Sequence, residues 1–161
     1  MAKSILQTTK ECYICRMLAT AAGYYDELPS TGLHKHHTVY GKGNRPIAEH
    51  YGLWVYLCTR FHHEYGEAAV HNNRGLRLML SKISQRAFEK KNPNLDFLQI
   101  FGISYVDPDE DFWPDVNEAM KNGSKLQRNV QKTQKDARKT QKVHAESQIE
   151  FMETGLGELP F

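Results

Sequence analysis

The 161-residue sequence contains no apolar run approaching the roughly 20 residues of a helical membrane span. Its opening stretch, MAKSILQTTKE, lacks the apolar segment of a secretory signal. Both absences set the expectation of a soluble, cytoplasmic protein with no membrane partner. Cysteine is scarce and odd in number: Cys12, Cys15 and Cys58. Three cysteines do not build a disulfide framework, and they suit a metal site in a reducing compartment better. Hydrophobic residues reach 40%, slightly low for a compact domain. No internal repeat is visible.

The overall charge of +2 is small but unevenly placed. Residues 1–120 hold 13 Lys/Arg against 14 Asp/Glu, whereas residues 121–144 hold eight basic residues and one acid, Asp136. From 124 onward the composition is Gln- and Lys-rich, with too few apolar residues for a continuous stripe, which predicts a polar basic tail, helical or disordered. The chain therefore divides into a folded part over 1–105, a turn-rich linker over 106–123 and the tail over 124–161.

In the folded part, GLRLMLSKISQRAFEKK (75–91) has apolar positions at helical spacing, with Asn72 or Asn73 as cap. NLDFLQIFG (94–102) reads as a short second helix stopped by Gly102. LHKHHTVY (33–40) and LWVYLC (53–58) have strand composition. Between them, GKGNRPIAEHYG reads as a loop, because four glycines or prolines punctuate it. The aromatic residues Tyr24, Tyr25 and Trp54 read as core.

Seven of the eight histidines fall between positions 34 and 71. Cys12 and Cys15 have the C-x-x-C spacing that lets two thiolates bind one tetrahedral zinc, and Cys58 with His62 supplies a second half. A Cys3His site from these four uses every cysteine; the alternative is three inert core thiols. That leaves His34, His36, His37, His63 and His71. Strand alternation puts His34 and His36 on one face and His37 on the other, so His36 and His37 address one point only if the strand bulges or ends there. His34 and His50 read as structural or surface groups.

A histidine pair on a first strand, an intervening Asn, a second strand ending in Leu-Cys and histidines before a helix resemble the HNH, or ββα-metal finger, nucleases. The fuller pattern LHKHHTVYGKGNR…YGLWVYLC…HH…AVHNN…LDFLQIFG is similar to a group of small phage-encoded proteins of that superfamily. The resemblance spans roughly residues 10–105 and stops before the tail. It implies an α+β fold: a small ββα-metal finger with a zinc knuckle, then a long and a short helix. It implies a metal-dependent endonuclease acting on DNA, duplex or branched, in the host cytoplasm if phage-encoded. Its cofactors would be a structural Zn2+ and a catalytic divalent ion such as Mg2+ or Mn2+. His37 matches the general base and His36 the first metal ligand. His62 falls to zinc and His63 to the catalytic metal, although Phe61 stands where a fourth cysteine is usual and the two could exchange roles. His71 matches a further ligand or a cap before the long helix. Asn44 best matches the residue that orients the base, but Gly52 occupies its more typical spacing.

The chemistry fits the residue types directly. Phosphodiester cleavage needs a base titrating near neutrality and a positive charge at the leaving oxygen, which histidine and a His-held divalent ion supply. Lys35, Lys42, Arg45, Arg60, Arg74 and Arg77 surround the cluster and could contact phosphates, each also reading as a solvated charge. A zinc-stapled nucleic-acid-binding module without cleavage is the alternative, and a zinc-bound protein-interaction module is a third reading.

Overall fold

A computed structural model describes residues 2–107 and 109–122, all within one compact unit, Met1–Ser124. The basic tail over 124–161, with any role it has toward DNA, lies outside the described residues. The described part is a small α+β fold, as expected. In chain order it contains helix α1 (Tyr13–Ala21), strand β1 (Leu33–His37), helix α2 (Asn44–Tyr51) and strand β2 (Trp54–Cys58). A π-helical turn (Thr59–His63), helix α3 (Arg74–Lys91) and helix α4 (Phe97–Phe101) follow. Among the described residues no helix is long and apolar enough to cross a membrane.

The two strands pair antiparallel, with Leu33 opposite Cys58, His36 opposite Val55 and His37 opposite Trp54. The ladder is regular as far as His37, where β1 ends. The segment before α1 lines the far edge of β2: the Ser4 hydroxyl donates to the Trp54 carbonyl at 2.6 Å, and the Tyr56 N–H donates to Gln7 Oε1 at 2.6 Å.

The connection between the strands, expected as a loop, is instead helix α2. Its glycines lie at the ends, Gly43 at φ +92° before the helix and Gly52 at φ +72° after it. Pro46 stands in the first turn, where a missing N–H costs no hydrogen bond. Gly52 has a further constraint: a Cβ there would lie 2.2 Å from the Lys3 carbonyl oxygen. Any side chain here would force the Lys3 backbone to move, and Gly52 is the position at the spacing more typical of the HNH asparagine that the resemblance matches to Asn44.

Helix α3 is capped as the sequence predicts, Asn73 Oδ1 accepting from the Leu76 N–H at 2.9 Å. It serves two apolar clusters. Leu76, Met79 and Leu80 meet Cys12, Ile14, Val55, Leu57, Val70 and Val116. Phe88 meets Val39, Ala48, Leu53, Phe97 and Phe101. Between them, hydroxyls pin α3 to the end of the strand pair. Ser81 Oγ donates to the Thr38 carbonyl at 2.7 Å, Ser84 Oγ donates to Thr38 Oγ1, and Thr38 Oγ1 donates to the Leu53 carbonyl at 3.0 Å. These groups are fully buried, and their mutual bonds remove the desolvation cost of leaving them unpaired.

Two further expectations change. Tyr24 and Tyr25 are exposed at 47% and 73%, while Trp54 is buried as expected. The segment 106–122, read as a linker from its turn residues, packs on the folded part. Val106 and Val116 are buried, Phe112 and Met120 lie against the first cluster, and Asn73 Nδ2 donates to the Met120 carbonyl at 3.0 Å. Its few apolar residues are spaced to reach the core between solvated acids.

Candidate metal centres

Two groups of side chains that could hold a metal ion gather beside the strand pair and the π-helical turn. Cys12 is the N-cap of α1 and Cys15 lies in its first turn, so the helix presents both sulfurs on one side. Cys58 ends β2 and caps the π-helical turn, whose buried His62 points back at the sulfurs. His62 Nδ1 lies 3.5 Å from Cys12 Sγ and 3.3 Å from both Cys15 Sγ and Cys58 Sγ; the Cys15 and Cys58 sulfurs are 3.9 Å apart. Around a tetrahedral zinc the S···S edges measure about 3.8 Å and the S···N edges about 3.6 Å. The four atoms thus have the spacing of a coordination shell, and the cluster could hold a structural metal ion such as zinc.

The electrostatics agree with that donor set. The Cys12 thiol is pushed down to about 4, because the Cys15 thiol hydrogen-bonds its thiolate form and His62 and two backbone N–H groups add to this. The same hydrogen bond, with burial and the Cys12 charge, pushes Cys15 up; burial and that charge push Cys58 up. Three thiolates this close would repel one another, which is why Cys15 and Cys58 are pushed up; a bound cation would remove that conflict.

The second group is His36 from β1, His63 from the π-helical turn and His71 from the loop before α3. Their rings lie 4.9–5.3 Å apart, centroid to centroid, and their ligand atoms all lie within 4.8 Å of one another. The loop is folded back by the Val70 N–H, which donates to the His62 carbonyl at 2.9 Å and so sets His71 beside His63. Burial pushes His36 down to about 3, with the nearby His63 and His71 adding to the effect. Burial lowers His63 as well. Both rings are therefore neutral near pH 7, the form that binds a metal. His36 Nε2 pairs with the Tyr40 hydroxyl at 2.7 Å, an outer hydrogen bond of the kind that orients a metal-binding ring and would leave Nδ1 to a metal when Nε2 donates.

His37 stands apart from this triad. Strand alternation turns it to the other face, where its Nε2 meets Glu49 Oε2 at 2.7 Å. Asn44 does not touch His37: it is buried at the start of α2, and its Nδ2 donates to the Tyr40 carbonyl at 2.9 Å and the Phe101 carbonyl at 3.1 Å. The side chain seen on His37 is Glu49, the sole acidic residue between Glu27 and Glu64. That isolation was the one signal in the sequence that could have singled it out. Glu49 also holds Lys35 Nζ at 2.6 Å, and Lys35 lies 4.0 Å from the centre of the Trp54 ring. Lys35 is thus an engaged charge, whereas Lys42, Arg45, Arg60 and Arg74 are exposed. Arg77 sits over the Tyr40 ring at 5.5 Å, close enough for its charge to help lower His36.

No family model, no curated protein and no solved structure matches this chain.

Proposed function

We propose that the protein is a metal-dependent endonuclease of the HNH, or ββα-metal, type that hydrolyses phosphodiester bonds of DNA. The observation that carries this reading is the convergence of His36, His63 and His71 beside a separate Cys3His cluster. One metal would brace the fold there and a second would do chemistry. In this reading Cys12, Cys15, Cys58 and His62 hold Zn2+, a closed set with no open position. His36, His63 and His71 hold a divalent ion, Mg2+ or Mn2+ with water filling its remaining positions or one more at home on imidazole such as Ni2+, whose charge stabilises the leaving oxygen. Arg77, beside Tyr40, and the exposed Lys42 and Arg45 would balance phosphate charge.

His37 is the general base. Glu49 holds its Nε2, fixing the tautomer with Nδ1 free to take a proton from water, the same division of labour as a carboxylate behind a catalytic imidazole. Glu49 thereby takes the orienting role that the HNH resemblance assigned to Asn44. One phosphate must then span the end of β1, reaching the triad from one face and His37 from the other.

A second reading, a zinc-stapled nucleic-acid-binding module without cleavage, is favoured by a specific observation. Asn44 is engaged by two backbone carbonyls and His37 faces away from the triad. Plasmid nicking decides between them. Wild-type protein with Mg2+ or Mn2+ is expected to nick, and His36→Ala to abolish nicking. DNA binding with no nicking under Mg2+, Mn2+ or Ni2+ establishes the binding module instead.

A further inference from the structure

We propose that His34, His63 and Glu64 form a second, solvent-facing transition-metal site that takes Zn2+ and shares His63 with the inner triad. The supporting geometry is a triangle. His34 Nδ1 is 3.3 Å from His63 Nδ1 and 3.3 Å from Glu64 Oε1, and His63 Nδ1 is 3.4 Å from the same oxygen. A tetrahedral face around zinc, with N and O ligands at their usual distances of about 2.0–2.1 Å, has edges of about 3.3–3.4 Å.

Pairwise hydrogen bonding predicts a different shape. A proton shared between two such atoms draws them to about 2.7–3.0 Å, as the His37–Glu49 pair at 2.7 Å shows within this protein. All three contacts are within ion-pair reach, and their near-equal edges match those of a triangle that a shared ion would hold. The two rings meet edge to face at 81°, which brings the nitrogens together without stacking. Each donor has its own origin: the exposed His34 from the start of β1, His63 from the end of the π-helical turn and Glu64 from the residue that follows it. Two imidazoles and one carboxylate suit zinc or a similar borderline ion, whereas Mg2+ prefers oxygen donors. Solvent completes the coordination.

His63 belongs to both sets. A zinc ion on the outer triangle holds its Nδ1, which takes that nitrogen from an inner ion or lowers the basicity of the ring toward one at Nε2, so zinc beyond the structural equivalent inhibits cleavage. That consequence rests on the nuclease reading, whereas the metal site itself does not.

The test starts from protein carrying one structural zinc, in a His71→Ala background that leaves the inner triad two ligands. Calorimetric titration with Zn2+, and visible absorption with Co2+, should show one further equivalent. Adding His34→Ala or Glu64→Gln, both at exposed positions, should weaken it at least about tenfold. With His71 intact, Zn2+ should inhibit Mn2+-supported nicking. His34→Ala should raise the zinc needed for half-inhibition by a similar factor and leave the zinc-free rate unchanged. A further equivalent indifferent to both variants, or its absence, overturns the site. Inhibition indifferent to His34→Ala overturns the sharing of His63. A His34-dependent zinc equivalent in protein that never nicks DNA supports the site while removing the nuclease reading.

Discussion

His62 and His63 are joined by one peptide bond and face two different clusters. His62 turns Nδ1 to three sulfurs at 3.3–3.5 Å, while the His63 ring lies 4.9 Å from His71 and 5.3 Å from His36. The π-helical turn makes this possible, closed by the Glu64 N–H donating to the Thr59 carbonyl at 3.2 Å. Such wide turns recur at functional sites because they re-aim successive side chains. A metal that fixes His62 therefore also fixes the starting point of His63.

This coupling gives the first prediction. Purified protein should contain about one tightly held zinc per chain, since a structural site supplies folding energy directly. Cys12→Ser should release it and lower the melting temperature by about 10 °C or more. Elemental analysis and calorimetry check both, and zinc-free protein that melts at the same temperature would refute the assignment.

The triad and His37 should fail differently. His37→Ala should retain metal content and lower nicking about 10²–10⁴-fold, the usual contribution of a general base. Glu49→Gln should follow it in the same direction with a smaller loss, because the ring remains but its orientation is weakened. His63→Ala and His71→Ala should lose activity that raised Mn2+ partly restores, since they lower metal occupancy. Nicking rates across a Mn2+ titration separate the two patterns.

Glu49 also has a pH signature. The Lys35 hydrogen bond, then that of His37, holds its carboxyl below the ordinary value of 4.5. A group whose pKa is lower folded than unfolded contributes stability above the unfolded value and loses it as pH falls below. Glu49→Gln should therefore destabilise by about 1 kcal/mol near neutral pH, given that the pair is only partly buried. The gap between variant and wild type should close as pH drops below 4.5. Urea midpoints at the two pH values measure it; a gap that widens in acid would exclude this role.

Gly52→Asn tests the steric bar at the end of α2. Asparagine tolerates a positive φ, yet its Cβ would meet the Lys3 carbonyl at 2.2 Å. The N-terminal segment must then move away, breaking the bond from the Ile5 N–H to the Gly52 carbonyl at 3.0 Å. A loss of about 1–3 kcal/mol is expected, together with faster proteolysis of residues 2–7. Unchanged melting would show that the segment yields freely.

Residues 121–144 carry eight basic side chains and one acid. Deleting residues 124–161 should weaken DNA affinity and flatten its dependence on salt. Without seven of those side chains, all but Lys121, the protein neutralises fewer phosphates, so binding displaces fewer counterions from the DNA. An unchanged salt slope assigns the tail to another role.

By itself the sequence determined what depends on near neighbours. The spacing of Leu76, Met79, Leu80 and Phe88 and the Asn73 cap specified α3, because helix periodicity and capping act within a turn or two. Strand composition specified β1 and β2, and the C-x-x-C spacing with Cys58 and the following histidines pointed to a Cys3His cluster, leaving open which histidine joins it. Helix α2 was hidden because glycine and proline look the same at a helix end as in a loop; only the packing of Ala48 into the core and of Lys3 against Gly52 shows which. Tyr24 and Tyr25 lie exposed because aromatic character states what burial would gain, not whether the backbone reaches the core. The partner of His37 and the outer triangle were likewise decided by tertiary structure. Glu49 is 12 positions from His37, and Glu64 is 30 from His34. Local spacing cannot encode such distances; they follow from α2 folding back beside β1, and from the π-helical turn pointing neighbouring histidines at different side-chain clusters.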